Sequence, residues 1–280
     1  MGTLFIIGTP IGNLGDLSPR AADLLRTVDL LVAEDTRVTR KLLNHLEATT
    51  PCISYHKHSN PAQLERVLDA LESGDVAQVT DAGSPTVSDP GASLVEAAVS
   101  RGHDVVAVPG PSAITTALSI SGMPGDRFTF LGFLPRKSSE RRSVLSGAAN
   151  ETGTLVAFET PQRVLAALED IDSELGERRI AVCREMTKLH EEVFRGTASE
   201  AIQYFSGGRI RGEFVLVIEG APEQTTEVSD EVITESIAHL GQDGLSGRSL
   251  VEAVIDATGA PRRRVYRLVT GSQADKANGS

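Results

Sequence analysis

The chain is short of cysteine and of long apolar runs, and it lacks the common nucleotide-binding signatures; each absence narrows what it can do. Its 280 residues include two cysteines, Cys52 and Cys183, each alone in an apolar, strand-like setting. Two separated thiols exclude a cysteine zinc site and a disulfide framework, and they suit a reducing cytosol. No stretch approaches the roughly 18 unbroken apolar residues of a membrane helix, so no membrane partner is expected. The amino terminus shows no basic segment followed by an apolar run and a small-residue cleavage site, which makes a cytoplasmic location the expectation. Met1-Gly2 matches the start of a myristoylation signal, but Ile6 stands where Ser or Thr is needed. The net charge of -11 argues against a general nucleic-acid binder and leaves room for local basic patches.

Familiar chemistries fall away in the same manner. No GxxxxGK[ST] loop is present, which excludes nucleotide hydrolysis by that route. His190-Glu191-Glu192 begins like a zinc-protease helix, but no second histidine follows at the required spacing, and no metal is expected. Gly110-Pro111-Ser112-Ala113-Ile114 lacks the closing glycine of a nucleophile elbow, so Ser112 reads as a helix cap or ligand donor. Gly8-Thr9-Pro10-Ile11-Gly12-Asn13 follows the first strand as a dinucleotide fingerprint would. Pro10, however, takes the place of the second glycine and has no amide hydrogen to offer a pyrophosphate.

What is present is alternation. Short apolar runs at Leu4–Ile7, Leu30–Ala33, Val76–Val79 and Val105–Val108 predict strands covered on both faces. Ser18-Pro19, Asn60-Pro61 and Asp89-Pro90 each offer a helix cap followed by proline at the first helical position. Leu64, Val67, Leu68 and Leu71 repeat at helical spacing until Gly74. This is a βαβ series, hence an α/β chain with a mainly parallel sheet. A second α/β block follows, with strands expected at Phe128–Phe133, Leu155–Phe158, Ile180–Cys183, Glu192–Gly196 and Phe214–Ile218, closer together as in a mixed sheet. A polar linker runs from Ala221 to Ser229, and three helical patterns follow at Asp230–Leu240, Ser249–Ala257 and Pro261–Thr270. The tail from Gly271 to Ser280 is expected to be disordered.

Three glycine- and proline-rich loops, Gly8–Asn13, Asp81–Gly91 and Pro109–Ala113, lie at the carboxyl ends of predicted strands. Ligands bind open parallel sheets at that edge, where glycine lets backbone approach and proline stiffens the loop. One such loop is commonly just a tight turn; three on one edge mark a small-ligand cleft.

Together with AEDTR, FETPQR, CREMTKLHEE and GEFVLVIEG, the loop motifs GTPIGNLGD, DAGSPTVSDPG and PGPSA are similar to those of the ribosomal RNA small-subunit methyltransferase I family, within the tetrapyrrole-methylase superfamily. Seven motifs in order from Gly2 to about Gly220 carry that resemblance. It implies two α/β domains of the tetrapyrrole-methylase type, residues 1–117 and 118–222, with an S-adenosylmethionine cleft between them; the helical patterns beyond the linker add a small helical domain at 223–280. It also implies 2′-O-methylation of a cytidine in the decoding region of 16S rRNA, with the small ribosomal subunit as partner and a homodimer as the assembly. Carried over by position, Pro10 and Ile11 border the cofactor, and Asp81, Gly83 and Ser84 hold its methionine part. Ser112 and Ala113 then lie beside the sulfonium and ribose, while Phe158, Glu159 and Thr160, with Gly212 and Glu213, close over the adenine. A methylase of the same superfamily acting on a tetrapyrrole or a protein side chain, and a non-catalytic RNA-binding protein, stay open as rivals.

A ribose hydroxyl is a weak acid, so a base helps its methylation. Glu34, Asp35, Arg37, Lys188 and His190 are candidates for the catalytic set: Asp35 or Lys188 to accept the proton, Arg37 to hold a phosphate. The bland alternative makes Asp35–Arg37 a surface ion pair and Glu185–Lys188 a solvated face. RNA contact is expected from Tyr55-His56-Lys57-His58, from Pro135-Arg136-Lys137 with Arg141-Arg142, and from the helix, glycine turn and arginine-rich helix of residues 251–267.

Overall fold

The computed structural model describes residues 2–56, 59–86, 91–208, 210–222, 228–242 and 244–277. Internal contacts divide it into two units, Met1–Ala221 and Pro222–Ser280.

The first unit opens with the βαβ series. Strands β1 (Thr3–Ile7), β2 (Leu30–Ala33), β3 (Cys52–Ser54), β4 (Val76–Val79) and β5 (Asp104–Val108) form one sheet in the order β3-β2-β4-β1-β5. Every pairing in it is parallel. Helices α1 (Pro19–Thr27) and α2 (Thr36–His45) bury Ala21, Leu25, Leu42 and Leu43 against one face. On the other, α3 (Pro61–Ser73) and α4 (Ala92–Ser100) bury Val67, Leu68, Leu71, Leu94 and Ala98. Two of the helix starts are as expected: Ser18 accepts from the Ala21 amide, and Asn60 forms a reciprocal capping box with Gln63. The third start, at Asp89-Pro90, lies outside the described residues, and α4 begins later, at Ala92 with Gly91 as its cap. Strand β3 escapes sequence reading because three residues after Pro51 carry too little periodicity. Strand β5 is a correction of another kind. It lies at the sheet edge with Val106 and Ala107 exposed, so its apolar run is not covered on both faces.

The second sheet holds β6 (Phe128–Phe133), β7 (Thr154–Glu159), β8 (Arg179–Arg184), β9 (Glu192–Thr197) and β10 (Phe214–Ile218), in the order β6-β7-β10-β8-β9. Only β6 and β7 pair in parallel, and the sheet is mixed. The unbroken run FVLVI suits its central position, since β10 is buried along its whole length. Helices α6 (Ser138–Gly147), α7 (Val164–Leu175) and α8 (Ala198–Ser206) cover one face. Helix α5 (Ala113–Ser121) covers the other with Ile114, Ala117 and Leu118. The boundary expected at 117/118 therefore falls inside α5, and the change of sheet comes in the loop before Ala113. That loop starts from the edge of one sheet and delivers its helix to the other, which is why a cleft opens there.

The second unit packs α9 (Asp230–Gln242), α10 (Gly247–Thr258) and α11 (Arg262–Ala277) around Ile233, Ile237, Leu250, Val251, Val254 and Val265. Gly259 ends α10 in the left-handed region at φ 67°, the turn that joins the helix to the basic one. Helix α11 continues through Ala277, so most of the segment expected to be disordered is helical; 278–280 lie outside the described residues, as do 223–227 of the linker.

Candidate active site

The loops after β1, β4 and β5 interlock at the carboxyl edge of the first sheet. Thr9 and Gly83 exchange backbone hydrogen bonds of 2.8 and 3.0 Å. Gly8 and Gly110 meet so closely that a Cβ on Gly110 would lie 2.5 Å from the Gly8 carbonyl oxygen. Glycine is needed at both positions for backbone-to-backbone contact. Strands β2 and β4 are neighbours, yet the helices that follow them, α2 and α4, leave to opposite faces of the sheet. A crevice opens at such a switch point.

Asp35 and Asp81 follow the ends of those two strands, at Ala33 and Val79. Asp35 caps α2: its carboxylate accepts from the Arg37 amide at 2.8 Å and from the Arg37 guanidinium at 2.6 Å. Arg37's hydrogen bond holds the Asp35 carboxyl down at about 2, too acidic for a useful base. Arg37 itself projects into solvent. Asp81 accepts from the Asp35 amide at 3.1 Å, and partial burial pushes its carboxyl above the usual value.

The opposite wall comes from the second sheet. Glu159, at the end of β7, has its side chain fully buried, pairs with Arg163 at 2.7 Å and accepts from the Thr160 amide at 2.6 Å. Burial pushes its carboxyl upward against those partners, and its Oε1 has no hydrogen-bond partner among the described residues. Between β8 and β9 the chain turns through Glu185 and Thr187, both at positive φ (50° and 66°). Lys188 closes that turn by bridging Glu185 and Glu213, each at 2.8 Å. Burial draws its ammonium down, but the two carboxylates raise it further, so Lys188 stays protonated and cannot serve as a neutral base. Its stem also packs on the first loop, since a Cβ at Gly12 would lie 2.6 Å from Lys188 Cγ.

Together these walls enclose a cavity of about 440 Å³. Eleven residues singled out in sequence as cofactor-binding line it: Ile11, Asp81, Gly83, Ser84, Ser112, Ala113, Phe158, Glu159, Thr160, Gly212 and Glu213. Pro10 does not. Of the catalytic candidates Glu34 lines the cavity, while Asp35, Arg37, Lys188 and His190 are not in its wall. Sequence reading missed Ala82, Ile114, Phe133, Pro161, Met186, Phe214 and Val215 as wall residues. All but Phe133 lie in or beside the quoted motifs; apolar side chains there read as core.

The basic clusters divide sharply. Arg141 is buried with Asp170 at 2.6 Å and donates to the Pro135, Arg136 and Ala166 carbonyls, so it braces a loop and is not available to phosphate. Arg142 pairs with Glu174, and Lys137 with Glu140. Arg136 remains exposed. Tyr55 is buried with its hydroxyl on Ser93, which removes the aromatic from the cluster expected at residues 55–58; Lys57 and His58 lie outside the described residues. In the helical unit Arg264 pairs with Asp230 at 2.6 Å, and Arg248 and Arg262 share Glu252. Part of the arginine crowding is thus internal bracing.

A family model for tetrapyrrole (corrin/porphyrin) methylases matches residues 3–202. A relative from Synechocystis is 44% identical over 278 residues, covering 98% of this chain and 100% of its own. One from Bacillus subtilis is 39% identical over 272 residues, covering 95% and 93%. Both are named ribosomal RNA small subunit methyltransferase I. The chain belongs to that family of tetrapyrrole methylases.

As a tetrapyrrole methylase it shares its fold with solved enzymes of distant sequence. A cobalt precorrin-4 methyltransferase aligns with TM-score 0.58 at 18% identity, over 78% of this chain and 94% of that one. A uroporphyrin-III-C-methyltransferase from Thermus thermophilus aligns at 0.53 and 20%, over the same shares. A family member from Thermotoga maritima, 47% identical, is covered over 99% of its length by 79% of this chain. Its aligned length is 221 residues.

Among the described residues, no helix is long and apolar enough to cross a membrane, and no group of His, Cys, Asp or Glu is placed to hold a metal.

Proposed function

We propose that the chain transfers a methyl group from S-adenosylmethionine to the 2′-hydroxyl of a cytidine in the decoding region of 16S rRNA. The observation that carries this reading is the convergence of all seven family motifs, from both sheets, on one cavity of suitable size and chemistry. Bound there, S-adenosylmethionine supplies a methyl group on an electron-poor sulfonium. Asp81 offers a carboxylate to the ammonium of its amino-acid part. The amino terminus of α5, where Ser112 makes no side-chain cap, offers backbone donors to the carboxylate. The buried and unpartnered Oε1 of Glu159 accepts from a donor on the cofactor. The apolar wall of Ile11, Met186 and Phe214 excludes water, which favours transfer to the ribose over loss of the methyl group to solvent.

Most of the acceleration would come from holding the hydroxyl in line with the methyl group, an effect worth about 7–11 kcal/mol in favourable systems. The hydroxyl proton leaves toward the acidic edge of the cavity, where Glu34 stands. Asp35 and Lys188 instead shape the site: one caps α2 and ties β2 to β4, the other binds three loops together. Exposed Arg136, three residues beyond Phe133, and the exposed arginines of α11 supply phosphate contacts that position RNA without reading its sequence.

Nucleoside mass spectrometry of small ribosomal subunits incubated with the protein and S-adenosylmethionine tests the reading. A 2′-O-methylated cytidine in 16S rRNA supports it. Cofactor binding without any rRNA product would overturn it.

A further inference from the structure

We infer that Phe133 is a substrate-positioning residue, an aromatic platform on which the base of the target nucleotide stacks; this deepens the rRNA reading above and rests on it.

The backbone of β6 is built to put this ring where it is. Strand residues alternate between faces. Phe130 points toward the α5 side of the sheet and Leu131 toward the α6–α8 side. Continued alternation would send residue 132 to the α5 side and Phe133 into the opposite core. The pairing register instead slips: Phe130 lies opposite Val156 and Phe133 opposite Phe158, so three steps on β6 match two on β7. Gly132 takes up the extra residue at φ 69°, a conformation that strains side-chain-bearing residues. Such a bulge on an edge strand re-aims the side chains beyond it. Here it turns Phe133 onto the face of Phe130 and Phe158, whose rings meet edge to face at 4.9 Å. Phe133 meets Phe158 at 5.4 Å in the same manner. Leu134 then drops into the opposite core and is 1% exposed.

Burial is not what this device achieves. Phe133 is 55% exposed while lining the cavity, whereas Phe214 and Met186 in the same wall are 1% and 6% exposed. An apolar ring held by a backbone irregularity at the open edge of a cavity lacks a covering group. A planar base, arriving from solvent on a polymer too large for the cavity, matches that exposed face in shape and polarity. Every base has a π-face, so the stack fixes the nucleotide in place and leaves the choice of cytidine to other contacts. The cofactor's adenine belongs deeper, against the buried wall.

The test uses the full chain with Phe133→Ala, Phe133→Tyr and the parent. S-Adenosylmethionine affinity is read by calorimetry, and kcat and KM by methyl transfer to small ribosomal subunits. Phe133→Ala is expected to bind the cofactor normally and lose about tenfold or more in kcat/KM for RNA, with Phe133→Tyr restoring most of it. Since the ring is more than half exposed, melting temperatures should stay together. Normal RNA turnover by Phe133→Ala, or a loss confined to cofactor affinity, overturns the platform while leaving the functional reading intact. A parent protein that binds cofactor and leaves rRNA unmethylated sinks both.

Discussion

The Asp35 backbone amide donates a 3.1 Å hydrogen bond to the Asp81 carboxylate, joining the carboxyl ends of β2 and β4 across the switch point of the first sheet. Asp81 therefore serves two masters: a structural bond behind it and the cavity in front. Partial burial raises its pKa from the ordinary 3.8. A folded-state pKa above the unfolded one means that the charged form is disfavoured by folding; that penalty is absent below the unfolded value and sets in as pH rises through the folded value. Asp81→Asn keeps an acceptor for the Asp35 amide and removes the charge. It is expected to melt slightly higher than the parent near neutral pH, with the gap closing as pH falls toward about 4, and to bind S-adenosylmethionine more weakly. Thermal scans across pH, paired with calorimetry, read both effects. A variant that binds cofactor as the parent does would remove Asp81 from the ammonium site.

Lys188 is the second discriminating position. A neutral lysine acting as base would make the rate depend on its deprotonation, and removing it would erase that limb of the pH profile. The two carboxylates at 2.8 Å keep it charged, so its work is mechanical. Lys188→Met is expected to lower cofactor affinity, because the ammonium bridge that ties Glu185 and Glu213 together is lost and only the backbone bond between them and the Glu213 amide on Glu185 remain. The shape of the pH–rate profile at saturating cofactor should stay the same. Disappearance of an alkaline limb would restore Lys188 as a base.

Arg141 and Arg136 lie five residues apart and should behave oppositely. Removing one partner of a buried ion pair leaves an uncompensated charge, at a cost of about 3–5 kcal/mol. Arg141→Met should lose about that much by urea denaturation, moderated by the Ser138 hydroxyl that still donates to Asp170 at 3.1 Å. Its methyl transfer per folded molecule should be unchanged. Arg136→Glu should leave stability alone, weaken binding to small-subunit RNA and flatten its salt dependence. A salt-slope change in the Arg141 variant would return that residue to the RNA surface.

These contrasts mark where sequence reasoning reached and where it stopped. Strand positions were legible because apolar runs such as FVLVI have one stable home, a strand buried on both faces. One cavity wall was legible because glycine and proline at the strand ends of the first sheet carry a backbone requirement that composition displays; the opposite wall, Phe158–Thr160 with Gly212 and Glu213, came from the family resemblance alone. Pairing was not. Nothing in Arg136-Lys137 and Arg141-Arg142 tells which guanidinium meets Asp170, a residue 29 positions from Arg141, so a basic cluster read as one surface split into a brace and an exposed charge. Tyr55 went the same way, its ring drawn into the core under α3 and α4. Phe133 was hidden for a subtler reason. Alternation assigns faces only while register holds, and the bulge at Gly132 resets it by one residue.

Glu159 offers the sharpest separation of stability from binding. One carboxylate oxygen is committed to Arg163 and the Thr160 amide, and the other has no partner among the described residues, although the side chain is fully buried. Glu159→Ala removes both functions and strands Arg163, which retains some solvent access, so about 3 kcal/mol of stability should be lost. Glu159→Gln preserves an acceptor for the Thr160 amide and sheds the buried charge, so its stability should fall much less. Its affinity for S-adenosylmethionine should nevertheless drop about tenfold, the scale of one hydrogen bond to a charged group. The two variants then dissociate: Ala is poor in both urea midpoint and cofactor affinity, and Gln chiefly in affinity. Equal cofactor affinity in Glu159→Gln and the parent would mean that Oε1 meets no donor in the complex, and the cofactor would have to be turned away from that wall.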